Sequence, residues 1–69
     1  MYNSTVITVN GKKVHATTLH LSKLLSEMNL SKQICAVEVN KKLIPHKERE
    51  TYILQDGDTV EIVSLVGGG

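Results

Sequence analysis

Two kinds of hydrophobic spacing alternate along this chain, and each predicts a different type of secondary structure. The segment Thr5–Val9 is β-branched at every position, which favours a strand. The pair Asn10-Gly11 follows, and both residue types tolerate the positive φ angles of a tight hairpin turn. We therefore predict that Lys12–Ala16 returns antiparallel to the first strand.

The spacing then becomes helical. Apolar residues recur at i, i+3, i+4 and i+7, the pattern of one helix face: Leu21, Leu24, Leu25 and Met28. We expect Thr18 or His20 to cap the first turn and Asn29 to end the helix. A helix of about eight to ten residues covers one face of a small sheet.

The next segments predict a strand, a short edge strand and a polar connection. Residues 34–39 are a second apolar run and predict a strand. After a polar turn, residues 43–44 predict a short strand that Pro45 ends, since proline lacks the amide hydrogen that a central strand needs. Residues 46–51 are polar and predict a loop or one turn of helix.

The chain then returns to the core and finishes with its longest strand. Residues 52–54 are predicted to re-enter the core, and residues 55–58 to form a turn in which Gly57 takes the positive φ. Residues 59–66 are predicted to form the final strand. Its length and aliphatic content favour a central position in the sheet.

This order of elements predicts an α+β fold with a mixed four- to five-stranded sheet and one main helix packed on one face. If the final strand lies parallel beside the first, the fold is a ubiquitin-like β-grasp. Residues 1–66 are then one β-grasp domain. Residues 67–69 form a flexible glycine tail that projects from the middle of the sheet.

Composition excludes several classes of function. The net charge is +1 and the only aromatic residues are two tyrosines, which argues against a nucleic-acid partner. No apolar stretch reaches the roughly 20 residues that span a bilayer, so no membrane partner is expected. The single cysteine, Cys35, favours a reducing cytoplasmic location and is interpreted as a small buried hydrophobe. The three histidines are too scattered for a metal site.

The sequence ends in Gly67, Gly68 and Gly69, directly after the apolar final strand. Glycine has no Cβ, so such a tail fits a narrow channel in another protein and presents its terminal carboxylate there. On this interpretation the carboxylate of Gly69 is the reactive group. The alternative, equally open from the tail alone, is an inert chain end.

The apolar residues before the tail permit two interpretations. Val63, Leu65 and Val66 belong to a strand that carries apolar groups on both faces. Either these residues form part of a surface that contacts the partner, or the apolar side chains on both faces of the strand are buried by the sheet.

Taken together, these features resemble the ThiS family, the ubiquitin-like sulfur carriers of thiamin biosynthesis. The resemblance spans nearly the whole chain. It rests on the first hairpin turn, two leucines of the helix, the middle strand, the proline after it, the turn before the last strand and the terminal glycines: residues 9–11, 24–25, 36–40, 44–45, 56–58 and 67–69.

The resemblance implies a protein co-substrate that has no catalytic residues and binds no cofactor itself. A ThiF-type adenylating enzyme would use ATP to activate the carboxylate of Gly69, while Gly67 and Gly68 thread the partner's channel. A sulfur donor such as a cysteine desulfurase would supply sulfur to form a thiocarboxylate. A thiazole synthase of the ThiG type would receive that sulfur.

Three other functions remain open at this point. A carrier of the kind found as the small subunit of molybdopterin synthase has a similar fold, but such proteins are longer and richer in aromatic residues. A ubiquitin-like modifier would instead join its activated end to lysines. A plain interaction module would leave the tail inert. The third glycine is interpreted as a normal variant of the two-glycine ending.

Overall fold

The computed structural model describes residues 5–29 and 35–64. Within these ranges the chain forms five strands, one α-helix and one short 3₁₀ helix. In chain order they are β1 (Thr5–Val9), β2 (Lys12–Ala16), α1 (Leu21–Glu27), β3 (Cys35–Val39), β4 (Lys42–Leu43), the 3₁₀ helix (His46–Glu48) and β5 (Thr59–Ser64). The predicted ends of two strands, at Ile34 and at residues 65–66, lie outside the described residues.

The five strands form one mixed sheet in the order β2-β1-β5-β3-β4. Strands β1 and β5 are parallel, with Thr8 opposite Thr59. The pairs β1–β2, β3–β5 and β3–β4 are antiparallel. The predicted central position of the last strand and its parallel pairing with the first are therefore confirmed, and so is the β-grasp.

Two tight turns join the antiparallel hairpins. Asn10 and Gly11 have φ angles of +50° and +86° between β1 and β2. Asn40 and Lys41 have φ angles of +53° and +69° between β3 and β4. Positive φ at both central residues defines the type I′ turn, whose twist matches that of the flanking strands. The predicted positive φ of Gly57 is also confirmed, at +89°.

Helix α1 packs its apolar stripe on one face of the sheet. Leu21, Leu24 and Leu25 are buried, as the spacing predicts. Asn29 has a φ of +61°, a left-handed residue just past the helix, which confirms the predicted end. The helix is seven residues long, shorter than expected. None of the described helices has the length and apolar character needed to cross a membrane.

The predicted caps and one core residue of the helix need correction. His20 occupies the N-cap position but makes no side-chain capping bond. The Thr18 Oγ1 accepts a hydrogen bond from the backbone N–H of His20 at 3.2 Å, so it stabilises the approach to the helix. Met28 is 37% exposed and lies at the C-cap, the last position of the helical stripe, so it is only partly covered.

The core lies between α1 and the sheet, and two predictions in the second half of the chain are wrong in detail. Strand β4 is Lys42–Leu43 rather than residues 43–44, and Ile44 is buried in the core beyond it. Of residues 52–54, Leu54 is buried but Ile53 is 50% exposed. Ile53 forms a β-bridge with His20, and adjacent side chains of an extended segment point to opposite sides, so Ile53 and Leu54 do not both face the core.

Candidate functional site

The structure describes the support of the predicted reactive tail. The predicted site residues Gly67, Gly68 and Gly69 lie outside the described residues, as do Leu65 and Val66 of the predicted contact surface. Val63 lies near the C-terminal end of β5 and is described. The site is therefore built here from β5 and from the elements that hold it.

Each hairpin turn holds β5 from one side through an asparagine. Asn10 Oδ1 accepts a hydrogen bond from the N–H of Ile62 at 2.8 Å. Asn40 Oδ1 accepts one from the N–H of Thr59 at 3.0 Å. The N–H groups of the same two asparagines donate to Val60 and Thr59 carbonyls at 2.9 and 2.7 Å. These bonds satisfy β5 amides where β1 and β3 have ended and fix the strand between its neighbours.

The turn that precedes β5 is fixed by two aspartates. Asp56 Oδ1 accepts from the N–H of Val6 at 2.7 Å, and the N–H of Gly57 donates to the carbonyl of Val6 at 2.8 Å. Asp58 accepts from the N–H of Gln55 at 2.8 Å and from the Asn40 Nδ2 at 2.9 Å. Both carboxylates thus act as turn formers, which confirms that interpretation of the sequence.

The face of the sheet opposite the helix carries exposed apolar side chains. Alternate residues of a strand point to opposite faces, so Val60 is fully buried while Val63 is 59% exposed. Leu43 in β4 is 60% exposed. The interpretation that the sheet buries both apolar sets is therefore wrong at Val63. We call this exposed side the open face and define it by Ala36, Glu38, Leu43, Glu61 and Val63.

The open face also brings two like charges together. Glu38 of β3 lies directly opposite Glu61 of β5. Cβ atoms of directly opposite residues are about 5 Å apart, and like charges in that arrangement destabilise a sheet. Leu43 is the partner of Glu38 on the other side, and Val63 is opposite Ala36. The open face therefore combines an acidic centre with apolar flanks.

The remaining residues singled out from the sequence do not gather into a site. Cys35 is free and buried, as predicted. In the ranges 5–29 and 35–64, no three side chains of the metal-binding types come close enough to hold an ion. The lysine pairs of the two hairpins are exposed.

Sequence reasoning missed one residue. Arg49 belongs to a segment predicted to be a loop or one turn of helix, yet it is the buried charged side chain of the described residues, at 9% exposure. It follows a 3₁₀ helix of three residues, which is too short for a periodic pattern to signal burial.

Comparison with known proteins agrees with the fold. The family model of the ThiS family matches residues 1–69. The chain is 36% identical over 66 residues to the sulfur carrier protein ThiS of Bacillus subtilis (strain 168), covering 93% of this chain and 100% of that protein. It is also 30% identical over 64 residues to a thiazole synthase of Paramagnetospirillum magneticum, covering 91% of this chain and 20% of that enzyme.

A solved structure shows the same architecture. The crystal structure of the thiamine biosynthesis protein ThiS from Geobacter metallireducens matches with a TM-score of 0.75 at 31% identity, covering 93% of this chain and 99% of that chain. The family match, the relative from Bacillus subtilis and this structure agree with one another. The chain therefore belongs to the ThiS family, the sulfur carrier proteins of thiamin biosynthesis.

Proposed function

We propose that this protein carries sulfur as a thiocarboxylate on the α-carboxyl group of Gly69 and delivers it for thiazole formation. It acts as a protein-sized co-substrate, and its partners supply the catalysis. The single observation that supports this most is the match of the ThiS family to residues 1–69, which includes the terminal glycines.

The chemistry explains why activation is needed. A carboxylate is a poor electrophile because its negative charge repels nucleophiles and its oxygen leaves poorly. Attack of a carboxylate oxygen on the α-phosphorus of ATP forms an acyl-adenylate and releases pyrophosphate. A persulfide sulfur then attacks the acyl carbon and AMP leaves. Cleavage of the resulting S–S bond by a thiol yields the thiocarboxylate.

The support of the tail agrees with this role. Strand β5 lies in the middle of the sheet and is bonded on both sides, by the Asn10 and Asn40 side chains as well as by the strands. A partner that binds the folded domain therefore meets the end of β5 in a fixed position. Such binding has to offset roughly 1–2 kcal/mol of conformational entropy for each tail residue that it orders.

The open face supplies a surface for that binding. Val63 is exposed beside Ala36 near the end of β5, and we propose that it contacts the partner together with Leu65 and Val66. The proposed partners are a ThiF-type adenylating enzyme, which uses ATP, and a cysteine desulfurase as sulfur donor. The likeness to part of a thiazole synthase supports a ThiG-type enzyme as the acceptor. The free, buried Cys35 agrees with a cytoplasmic location.

Intact mass spectrometry tests the proposal. Incubation with a ThiF-type enzyme, ATP, a cysteine desulfurase and cysteine should add the mass difference between sulfur and oxygen to the chain. Deletion of Gly68 and Gly69 should abolish this gain and leave the unfolding midpoint nearly unchanged. Products linked to lysines would instead identify a modifier, and an unchanged mass would contradict the proposal.

A matched pair of variants tests the open face. Val63 and Ile53 are both apolar and about half exposed, but Ile53 lies outside the five strands. Val63→Ser should slow sulfur loading, whereas Ile53→Ser should not. Equal loading rates for the two variants would show that Val63 does not contact the adenylating enzyme.

A further inference from the structure

Arg49 is a buried cation whose acceptors among the described residues are a backbone carbonyl and a cysteine sulfur. Its side chain is 91% buried, from an exposure of 9%. Its Nη2 donates to the carbonyl oxygen of Cys35 at 2.6 Å, and its Nη1 donates to Cys35 Sγ at 3.7 Å. Its Nε has no hydrogen-bond partner among the described residues. Neither acceptor among the described residues is a carboxylate.

The position of Arg49 in the fold explains one of these bonds. The N–H of Ile44 donates to the carbonyl of Val37 at 2.9 Å, so at Val37 the edge of β3 that faces β4 is hydrogen-bonded. Cys35 precedes Val37 by two residues, and its carbonyl points to the same side of the strand, beyond the end of β4. The guanidinium thus completes the pairing of an edge carbonyl. That role needs a donor, but it does not need a full positive charge.

Arg49 also lines a cavity. It has a volume of about 180 Å³, and its other lining residues are Ser22, Leu25, His46 and Glu50. This volume is well below the roughly 300–1,000 Å³ of sites for drug-sized ligands. The cavity therefore suits a small solute.

The lining favours a negatively charged solute with several oxygens. A guanidinium presents a planar fork of donors that matches a carboxylate or a phosphate. Ser22 adds a hydroxyl donor, and His46 adds a ring N–H. A buried cation is unfavourable unless an anion pairs with it, so an anion bound here would stabilise the folded protein.

We propose that this cavity is a binding site for a small oxyanion, either phosphate or a carboxylate. Arg49 holds the anion, and Ser22 and His46 are further donors. Glu50 is the acidic residue among those that line the cavity, so its negative charge opposes an anion there. Removing that charge should strengthen binding, which provides a test by gain of function.

Titration of the ¹⁵N-labelled protein with inorganic phosphate, and separately with acetate, tests the site by NMR at constant ionic strength. We expect saturable shifts at Ser22, His46 and Arg49. Glu50→Gln should bind roughly two- to fivefold more tightly, the range of an interaction between exposed charges. Arg49→Met should lose binding. The control Lys47→Met removes an exposed positive charge from the 3₁₀ helix that precedes Arg49 and should bind as the unaltered protein does.

Two results with the unaltered protein would overturn the proposal: NMR shifts of equal size with chloride, and shifts that do not saturate with phosphate or with acetate. Two results with the variants would also overturn it: anion binding by Glu50→Gln that is unchanged or weaker, and anion binding that Arg49→Met retains. If Arg49→Met does not fold, Glu50→Gln and His46→Asn decide, because both residues are exposed. His46→Asn should weaken binding. Saturation by phosphate but not acetate identifies the anion as a phosphate, and the reverse identifies a carboxylate.

Discussion

The two hairpins of this protein lie on opposite sides of β5 and use the same device to hold it. Each begins its turn with an asparagine at positive φ, Asn10 in one and Asn40 in the other. Each asparagine accepts a hydrogen bond from a β5 amide. The hairpins differ at the second turn residue, where one has Gly11 and the other Lys41. They also differ in length, since β2 has five residues and β4 has two.

The difference between the hairpins shows that the first and second turn residues meet different requirements. Asparagine is needed twice because it tolerates positive φ and also offers a side-chain oxygen to the central strand. The second turn residue has only the backbone requirement: nothing lies within 4 Å of a Cβ built at Gly11. Lys41 shows that a side chain is accommodated at the equivalent place, at an energetic cost set by the left-handed conformation.

The largest effect is expected from removing the asparagine side chains while keeping the backbone conformation. Asn40→Gly loses two side-chain hydrogen bonds, to Thr59 and Asp58, and should destabilise by roughly 1–3 kcal/mol. Asn10→Gly loses one, to Ile62, and should cost about half as much. Urea denaturation measures both. A smaller loss for Asn40→Gly than for Asn10→Gly would contradict the comparison.

An intermediate effect is expected at the second residue of the first turn. Gly11→Lys places in the first turn the residue type that the second turn has at Lys41. It should destabilise the protein by about 1–2 kcal/mol, because residue 11 has a φ of +86° and residues with a side chain disfavour this left-handed conformation. The midpoint of urea unfolding should fall while the denaturant slope stays constant. No change in the midpoint would mean that the turn relaxes to another type.

The smallest effect is expected from the reverse exchange. Lys41→Gly removes the left-handed penalty but increases the freedom of the unfolded chain, so the net stabilisation should be roughly 0.5–1 kcal/mol. Lys42→Gly is the control, since it lies within β4 and should destabilise. Thermal unfolding of both variants measures the difference. Destabilisation by Lys41→Gly would show that this lysine contributes contacts beyond its backbone.

The order of strands, helix and turns was predictable from the residues because each depends on local chemistry. Asn10-Gly11 specifies a turn, Leu21, Leu24 and Leu25 specify a helix face, and Gly57 specifies a positive φ. The central position of β5 followed from its aliphatic content. The shift of β4 by one residue was not predictable, because a strand of two residues carries too little pattern to fix its register.

The candidate functional site likewise has features that the sequence predicted and features that it did not. The sequence by itself determined the glycine ending, the long strand before it and the resemblance that names the chemistry. Only the tertiary structure decided that Val63 is exposed, that Glu38 faces Glu61 and that Arg49 is buried beside a cavity. The alternation of side chains along a strand is local, but which face is covered and which strand lies opposite depend on segments that are distant in the chain.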